Sequence, residues 1–324
     1  MLLAALAILL GFVILIWSAD LFVAGAASIA RNLGMSPIII GLTIVSLGTS
    51  APEVLVSLTA ALADAGQLAI GNAIGSNIAN VALVFGATII VAPLMVHARS
   101  VKKEVPALLI ITFGVWALIW DGVLSRLDGL IMIGVLVFML VHLVRTHTYD
   151  DELATEAADE PIPSLTPTRA WLTFLLGLAL LIGSSKILVW GAVRAAGELG
   201  VSELVIGLTI VAIGTSLPEL AATIACAMRG HTEIALGNII GSNTFNLLAV
   251  MSIPGVVSPQ ILDPHVGIRD YPIMAGLTVF LAIAIIASRM RSKSSPEHAY
   301  LGRFVGILLV SCYGLYYYLL HLTL

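Results

Sequence analysis

Gly41–Glu53 reads GLTIVSLGTSAPE and Gly207–Glu219 reads GLTIVAIGTSLPE, so that 10 of 13 positions are identical at an offset of 166 residues. A second pair of stretches follows at the same offset. Gly71–Asn80 reads GNAIGSNIAN, and Gly237–Asn246 reads GNIIGSNTFN. Each copy places hydroxyl groups, amides and a glutamate inside otherwise apolar sequence. The chain is therefore an internal duplication whose two copies carry the same polar groups.

The composition is that of a chain solvated mostly by lipid. Of its 324 residues 59% are hydrophobic and 10% are charged, with a mean hydropathy of +1.07, whereas soluble domains are about 25% charged. We predict an all-α integral membrane protein with the lipid bilayer as its surroundings. Basic patches, zinc-ligand spacings and nucleotide loops are missing from the sequence, which argues against nucleic acid, a cofactor or an obligate protein partner.

Ten stretches are apolar enough, and near the required length of about 20 residues, to cross a bilayer as helices. Their approximate bounds are 3–30, 37–63, 68–93, 104–120, 125–145, 169–195, 203–228, 234–259, 271–288 and 301–321. The 166-residue offset maps the first five onto the last five. Because five is odd, the two copies cross the membrane in opposite directions, which predicts two inverted five-helix repeats. We divide the chain into a first repeat at 1–145, a central cytoplasmic linker at 146–168 and a second repeat at 169–324.

The basic residues predict the orientation of the spans in the inner membrane. With the N-terminus outside, eleven of them fall on cytoplasmic loops or span ends: Arg31, Arg99, Lys102, Lys103, Arg145, Arg169, Arg229, Arg289, Arg291, Lys293 and Arg303. Only Arg126, Arg194 and Arg269 fall outside. This bias follows the positive-inside rule and predicts that both termini are extracytoplasmic. The acidic, proline-bearing linker is typical of a solvated, flexible segment, and a weak regulatory cation site there is the alternative.

A proline follows the hydroxyl residues in each copy of the first motif. Pro52 has no amide hydrogen and its ring clashes with the carbonyl of Gly48, so a helix there must break or widen just before the proline. The freed carbonyls are tolerated at membrane depth only where they line a cavity or bind something. Thr49, Ser50 and Glu53 add hydroxyl and carboxylate oxygens beside them. The second copy repeats every group at Gly214, Thr215, Ser216, Pro218 and Glu219.

These groups are all hard oxygen donors, without sulfur or imidazole among them. Oxygen-only sites favour Ca²⁺, Na⁺ or similar cations over zinc and copper. Ionisable residues at membrane depth are costly and usually functional, and two carboxylates close together repel unless a cation compensates their charge. One Ca²⁺ or two monovalent cations would neutralise Glu53 plus Glu219. The sequence therefore predicts a site that either load of an exchanger can occupy.

The glycines of the second motif indicate close packing of helices. Gly71 and Gly75 form a G-x-x-x-G pair, as do Gly237 and Gly241, and such pairs let two helices approach closely.

The polar residues of that motif need a different explanation. Ser76 and Asn80 are four apart and share one helix face, so both can point at one cation. We favour these two as ligands. Asn72 and Asn77 can instead hydrogen-bond the broken backbone of the neighbouring helix, and we favour a scaffold role for them.

Asp20 and Lys186 occupy equivalent positions of the two repeats, within the first and sixth spans. Each either pairs with an opposite charge near a membrane surface or extends its charged end to the headgroups. We expect a structural role for both.

The paired GLTIV-x-x-GTS-x-PE and GN-x-IGSN-x-x-N motifs resemble the two α-repeats of the calcium:cation antiporter superfamily, which includes the sodium/calcium exchangers. The resemblance covers nearly the whole chain and is closest to compact prokaryotic members without calcium-sensing domains. It implies broken helices at the membrane midplane and a mechanism of alternating access. Spans two, three, seven and eight would form a fixed core, against which spans one and six slide.

The resemblance also implies four cation sites clustered around Glu53 and Glu219, which most of the sites would share. It implies backbone carbonyl ligands to Ca²⁺ at Thr49 and Thr215. The other implied ligands are the carbonyls of Ser46 and Ala212, the hydroxyls of Ser50, Ser216, Ser76 and Ser242, and the amides of Asn80 and Asn246. Some archaeal relatives have Asp where Asn246 stands, so this site has two formal negative charges rather than three. That departure argues against potassium co-transport and leaves Na⁺ or H⁺ coupling open.

The function predicted from the sequence is antiport of Ca²⁺ against Na⁺ across the inner membrane, without enzymatic activity and with the two ions as transported substrates. A Ca²⁺/H⁺ or other cation/H⁺ antiporter is the alternative within transport. An intramembrane hydrolase with paired acids is disfavoured, because an acid–base pair needs surroundings that push its pKa values apart, and the two glutamates have identical surroundings. A channel is disfavoured by the inverted repeat with broken helices.

Overall fold

A computed structural model describes residues 2–35, 37–147, 165–199, 212–291 and 298–323, which are mostly helical. The α-helices are α1 (Leu2–Leu33), α2 (Pro37–Ile40), α3 (Ser46–Thr49), α4 (Ala51–Leu62), α5 (Gly66–Ile78), α6 (Gly86–Val91), α7 (Ala98–Leu118), α8 (Arg126–His147), α9 (Pro167–Glu198), α10 (Ala212–Thr215), α11 (Leu217–Met228), α12 (Thr232–Phe245), α13 (Ser252–Val257), α14 (Tyr271–Arg291) and α15 (Arg303–Thr323). Four π-helical segments are π1 (Gly41–Val45), π2 (Ala79–Phe85), π3 (Asn246–Val250) and π4 (Val266–Asp270). The strands are β1 (Leu94–His97), β2 (Val123–Leu124), β3 (Gln260–Ile261) and β4 (His298–Leu301).

Seven of the described helices are long and apolar enough to cross a membrane: Leu2–Leu33, Gly66–Val91, Arg126–Leu143, Pro167–Ala192, Thr232–Val257, Val266–Ser288 and Arg303–Leu320. An eighth span is a bent pair, Ile38–Thr49 with Ala51–Leu62. The other two predicted spans correspond to α7 and to the stretch 203–228, which is described only from residue 212. The all-α membrane fold is confirmed, and the count of ten spans stays a prediction. Most of the linker 146–168 lies outside the described residues.

The antiparallel pair of α1 and α9 makes the inverted repeat visible. A Cβ atom on Gly11 of α1 would lie 3.0 Å from the Cα atom of Leu188, and one on Gly177 of α9 would lie 2.7 Å from the Cα atom of Phe22. Adding 166 to 11 and to 22 gives 177 and 188, so the second contact is the first with the repeats exchanged. Reciprocal contacts of this kind require the two copies to be related by a pseudo-two-fold axis.

Two short strand pairs, which the sequence does not predict, join the repeats. They lie where the last helix of each repeat packs against the other repeat. β1 follows α6 in the first repeat and pairs antiparallel with β4, which precedes α15 in the second. β3 follows α13 in the second repeat and pairs antiparallel with β2, which precedes α8 in the first. Accordingly α15 packs on α6, and α8 packs on α13. Each fifth helix therefore closes against the other repeat, which joins the two halves into one unit.

The predicted helix breaks are present in both copies. In the first copy, α3 ends at Thr49, Ser50 takes φ −82° and ψ 4°, and α4 starts at Ala51 with a bend of 46°. In the second copy, Ser216 takes φ −89° and ψ 6° between α10 and α11. A proline occupies the first turn of the helix that follows each break, where its missing amide is tolerated.

The glycines of the second repeat allow the close packing that their spacing predicts. A Cβ atom on Gly237 would collide with the carbonyl oxygen of Ile38 and lie 3.0 Å from the Cα atom of Gly41. One on Gly241 would lie 2.6 Å from the carbonyl oxygen of Leu42. The long segment that contains α12 and π3 is thereby held against the first half of the bent span. For Gly71, the equivalent partner Gly207 lies outside the described residues.

Candidate cation site

The two glutamates of the repeated motif lie in the first turns of α4 and α11, immediately after the helix breaks. Unpaired backbone amides and the helix dipole favour negative charge at this position. Glu53 is 1% exposed and Glu219 is 0% exposed. Both carboxylates are thus held inside the protein by the ends of short helices, where a net charge is costly without a partner.

Hydrogen bonds across the repeats bring the two copies together. The Ser50 hydroxyl of the first copy donates to Oε1 of Glu219 in the second, at 3.2 Å. The Thr49 hydroxyl donates to Oδ1 of Asn238 on α12, at 3.2 Å. Ser50 precedes Glu53 by three residues in the same copy, so its bond to Glu219 links the segments that carry the two glutamates. The two motifs therefore build one shared site rather than two separate ones.

Several buried polar atoms of this site have no hydrogen-bond partner among the described residues. They include both carboxylate oxygens of Glu53, Oε2 of Glu219, the carboxamides of Asn80 and Asn246, and the hydroxyls of Ser216 and Ser242. A buried polar group left unpaired costs about 1–3 kcal/mol, so such a cluster needs an explanation. Carboxylate, amide and hydroxyl oxygens are the ligands that hard cations take. The donor set fits Ca²⁺ and Na⁺.

The structure places the other predicted ligands around the two breaks. Ser46, Ser76, Ser242 and the two asparagines are buried with Thr49, Ser50 and Ser216, while Thr215 is partly buried. Ala212 starts α10, and its side chain lies outside the description. Direct hydrogen bonds join Ser50 to the second repeat and Thr49 to α12. Ser46, Thr215 and Ser216 lie on the broken spans themselves. The other described ligands, Ser76, Asn80, Ser242 and Asn246, lie on segments that pack against those spans.

One predicted ligand is already occupied. The Ser46 carbonyl accepts hydrogen bonds from the Ser50 amide, at 2.9 Å, and from the Thr49 hydroxyl, at 3.4 Å. A carbonyl oxygen has two lone pairs. The Thr49 hydroxyl would therefore have to turn fully towards Asn238 before the Ser46 carbonyl could bind a cation.

The helices that carry Asn80 and Asn246 change from α-helical to π-helical hydrogen bonding at these residues. The sequence analysis did not predict this change. π2 runs through Asn80 and π3 begins at Asn246, at positions 166 apart. A π-helical turn adds one residue to the hydrogen-bonded ring and is frequent at functional sites. In both repeats the widening starts within one residue of the asparagine. The same distortion therefore occurs twice, next to a predicted ligand.

A hydrogen-bonded scaffold supports each glutamate from behind. In the first repeat, Nδ2 of Asn72 donates to the Glu53 carbonyl at 3.1 Å and to the Ser57 hydroxyl at 3.2 Å. This matches the scaffold role predicted for Asn72. The other predicted scaffold residue, Asn77, instead directs its Nδ2 at Sδ of Met274, 3.5 Å away.

The second repeat has the equivalent scaffold, built from Asn238 and Thr223, which the sequence analysis did not identify. Nδ2 of Asn238 donates to the Thr223 hydroxyl at 2.9 Å, and that hydroxyl donates to the Glu219 carbonyl at 2.6 Å. The offset of 166 maps Asn72 onto Asn238 and Ser57 onto Thr223. Applying that offset to every polar residue of the spans would have found them.

The carbonyl freed by the second proline is satisfied from α9. Pro218 cannot donate to Gly214, and the Ser185 hydroxyl donates to the Gly214 carbonyl instead, at 2.9 Å. At the equivalent position of the first repeat stands Ala19, which has no hydroxyl. The two halves of the site are therefore not identical in their contacts with the α1/α9 pair.

We predict that Thr223→Val lowers cation flux about tenfold, because it leaves Nδ2 of Asn238 without its buried acceptor, at about 1–3 kcal/mol. It also removes the side-chain hydrogen bond to the Glu219 carbonyl. Thr223→Ser is the matched control. It keeps the hydroxyl, and serine already stands at the equivalent position 57. Ion flux into proteoliposomes measures both variants, and equal activity of the two would show that the hydroxyl has no part in holding Glu219.

Known proteins are similar to this chain over both repeats. The model of the family described as "Sodium/calcium exchanger protein" matches residues 3–145 and 169–322. The "Putative antiporter CaxA" of Alkalimonas amylolytica is 46% identical over 302 residues, covering 92% of this chain and 94% of that protein. The "Inner membrane protein YrbG" of Escherichia coli (strain K12) is 38% identical over 314 residues, covering 95% and 94%.

The fold is similar to that of a solved transporter. A structure of the sodium-calcium exchanger NCX_Mj, soaked with zero Na⁺ and Ca²⁺, superposes with a TM-score of 0.82 at 28% identity. The superposition covers 97% of this chain and 98% of the other. The similarity therefore extends over both repeats.

Proposed function

Because the chain belongs to the sodium/calcium exchanger protein family, as its motifs predict, we propose that it exchanges Ca²⁺ for Na⁺ across the inner membrane by alternating access. The family consists of membrane transporters, so the hydrolase alternative is set aside. The observation that carries the proposal is the shared site, in which two buried glutamates from opposite repeats have three carboxylate oxygens without a hydrogen-bond partner among the described residues.

The charge of this site gives a reason for exchange. Two carboxylates in a low-dielectric interior repel each other, and a bound cation removes the repulsion. One Ca²⁺ carries the same charge as two Na⁺, so each load neutralises Glu53 plus Glu219. An empty site keeps the negative charges of both glutamates. Moving these charges past apolar surroundings is costly, so the empty form resists the change between access states. Coupling follows, because only loaded forms move readily.

The proposed ligand set combines the two repeats. Glu53 and Glu219 would contact Ca²⁺ with the Thr49 and Thr215 carbonyls. Na⁺ would use the same glutamates with the following groups: the carbonyls of Ser46 and Ala212, the hydroxyls of Ser50, Ser216, Ser76 and Ser242, and the amides of Asn80 and Asn246. The unpartnered hydroxyls and amides of four of these residues support this assignment.

The α1/α9 pair is the element suited to move. Its two helices pack along each other for most of their length and contact the rest of the protein chiefly through the broken spans. Small residues at the crossing points, such as Gly11 and Gly177, keep the pair together as one body. We propose that this pair slides over the broken spans and opens the site to one side at a time. The hydrogen bond from Ser185 to Gly214 must then break and reform.

The orientation belongs to the same proposal. The bias of basic residues predicts that both termini are outside and that the linker 146–168 is in the cytoplasm. Since cells hold Na⁺ at a lower concentration inside, the exchange would extrude Ca²⁺.

The coupling ion is tested by the gradient that drives flux. We expect proteoliposomes loaded with Na⁺ to take up radiolabelled Ca²⁺ when diluted into Na⁺-free buffer, with no uptake when Na⁺ is equal on both sides. The matched control imposes a pH gradient of the same size without Na⁺. Uptake driven by the pH gradient and indifferent to Na⁺ would replace the proposal with Ca²⁺/H⁺ antiport, and uptake without any gradient dependence would indicate a channel.

A further inference from the structure

An ion pair links the α1/α9 pair to the broken spans. Nε of Arg229, the residue after α11, lies 3.0 Å from Oδ1 of Asp20 on α1. Of the two outcomes expected for Asp20, pairing is the one observed. Since α1 is the element proposed to slide and α11 carries Glu219, this contact joins a moving part to a fixed part.

The repeat offset predicts a second pair with the charges exchanged. Subtracting 166 from Arg229 gives Ala63, and its neighbour Asp64 follows α4. Adding 166 to Asp20 gives Lys186 on α9. The first pair therefore has its acid on the α1/α9 pair and its base on the broken span, and the second has the reverse. Because the repeats are inverted, the ends of α11 and α4 lie on opposite sides of the membrane.

The turn after α4 has an aspartate where the second repeat has a glycine. Asp64 has φ 55°, in the left-handed region, and the equivalent position in the second repeat is Gly230 with φ 83°. Glycine adopts this conformation without strain, whereas an aspartate only tolerates it. Aspartate is among the residues that accept this conformation, and the side chain at position 64 is exposed and accessible to a basic partner.

The second pair is not formed in this conformation. Oδ1 of Asp64 accepts only a long hydrogen bond, 3.5 Å, from the Ser258 hydroxyl. Lys186 is exposed, and within the part of the chain that the structure describes neither residue has an ion-pair partner. A lysine within a membrane span is costly when unpaired. One pair is closed while its counterpart is open.

We propose that Asp20–Arg229 and Lys186–Asp64 are alternating latches, each closed in one of the two access states. In an inverted repeat, exchanging the conformations of the two copies produces the opposite state of the transporter. Sliding of the α1/α9 pair would then part Asp20 from Arg229 and bring Lys186 to Asp64. This inference rests on the proposed alternating access, and it is tested below by distances that need no transport.

Cross-linking tests the exchange of partners. In full-length protein with Cys226 and Cys312 replaced by alanine, one variant carries Asp20→Cys with Arg229→Cys and another carries Lys186→Cys with Asp64→Cys. A bifunctional thiol reagent is applied with Na⁺, with Ca²⁺ or with neither ion. Its spacer has about the length of the arginine or lysine side chain that the cysteine replaces. We expect both pairs to cross-link, with yields that change in opposite directions between conditions. A Lys186–Asp64 yield no higher than that of the single-cysteine variants would overturn the proposal, as would yields that rise together.

Charge removal gives an independent readout. Asp20→Asn removes one partner of the Asp20–Arg229 ion pair and should raise the yield of the Lys186–Asp64 cross-link. Asp64→Asn should likewise raise the yield of the Asp20–Arg229 cross-link. Partly exposed ion pairs are worth at most about fivefold in an equilibrium constant, so each shift should be twofold to fivefold. Glu198→Gln is the matched control, because Glu198 is an exposed acid that forms an ion pair with Arg194 of the same helix and lies away from the broken spans. Shifts no larger than the control would contradict the latches, even in protein that exchanges Ca²⁺ normally.

Discussion

Glu53→Gln is expected to abolish Ca²⁺ exchange and to leave the fold intact. Glutamine has the same size and keeps one carbonyl oxygen, but it removes a full negative charge from a buried site. At an effective dielectric constant of about 20, a unit charge close to a cation is worth several kcal/mol. A loss of even about 3 kcal/mol reduces binding roughly a hundredfold, so flux should fall to the level of empty liposomes. Glu219→Gln should have the same effect, since both repeats contribute equally to the charge.

Two measurements separate loss of the site from loss of the protein. Thermal unfolding in detergent should show Glu53→Gln at least as stable as the parent, because it removes the repulsion between two buried carboxylates. Glu198→Gln, on the exposed end of α9, should keep full exchange. Exchange at the parental rate in either Glu53→Gln or Glu219→Gln would contradict the assignment of the site.

Gly237→Ala is expected to destabilise the fold strongly. The added methyl group would meet the carbonyl of Ile38 and the Cα atom of Gly41, and neither backbone atom can move without separating α12 from the bent span. Overpacking of this kind costs about 1–3 kcal/mol, and here it also shifts the helix that carries Ser242 and Asn246. We therefore expect a lower midpoint of thermal unfolding and loss of Ca²⁺ transport together.

The matched control for that variant is Gly134→Ala in α8. A Cβ atom at Gly134 has no neighbour within 4 Å, and alanine is a better helix former than glycine by about 1 kcal/mol. The control should unfold at the same temperature as the parent or higher. If Gly237→Ala matches it in stability and transport, the close approach of α12 to the bent span does not hold the site together.

Local chemistry made the breaks and the repeat predictable from sequence. Pro52 and Pro218 each remove an amide that a helix needs, so the breaks at Ser50 and Ser216 follow without knowledge of the rest of the fold. The inverted relation follows from an odd number of spans. The close approach of another helix at Gly237 and Gly241 likewise follows from the spacing of small residues, although that spacing does not identify Gly41 as the partner.

What the sequence could not supply depends on which helices meet. The capping of the Gly214 carbonyl by Ser185 joins residues 29 positions apart, and no local pattern distinguishes that serine from Ser184. The strand pairs β1–β4 and β2–β3 result from the exchange of fifth helices between the repeats. The π-helical segments at Asn80 and Asn246 continue helices without interruption, so the helical pattern of the sequence does not reveal them.

Competition of Ca²⁺ and Na⁺ for one site in purified protein tests whether the two ions share the glutamates. Equilibrium binding of radiolabelled Ca²⁺ is measured in detergent while Na⁺ is raised at constant ionic strength with choline. We predict that Na⁺ displaces Ca²⁺ completely, that displacement rises more steeply than in proportion to Na⁺ because more than one Na⁺ replaces each Ca²⁺, and that Glu53→Gln binds neither ion measurably. Ca²⁺ binding that persists at saturating Na⁺, or that survives in Glu53→Gln, would contradict a shared site built on the two glutamates.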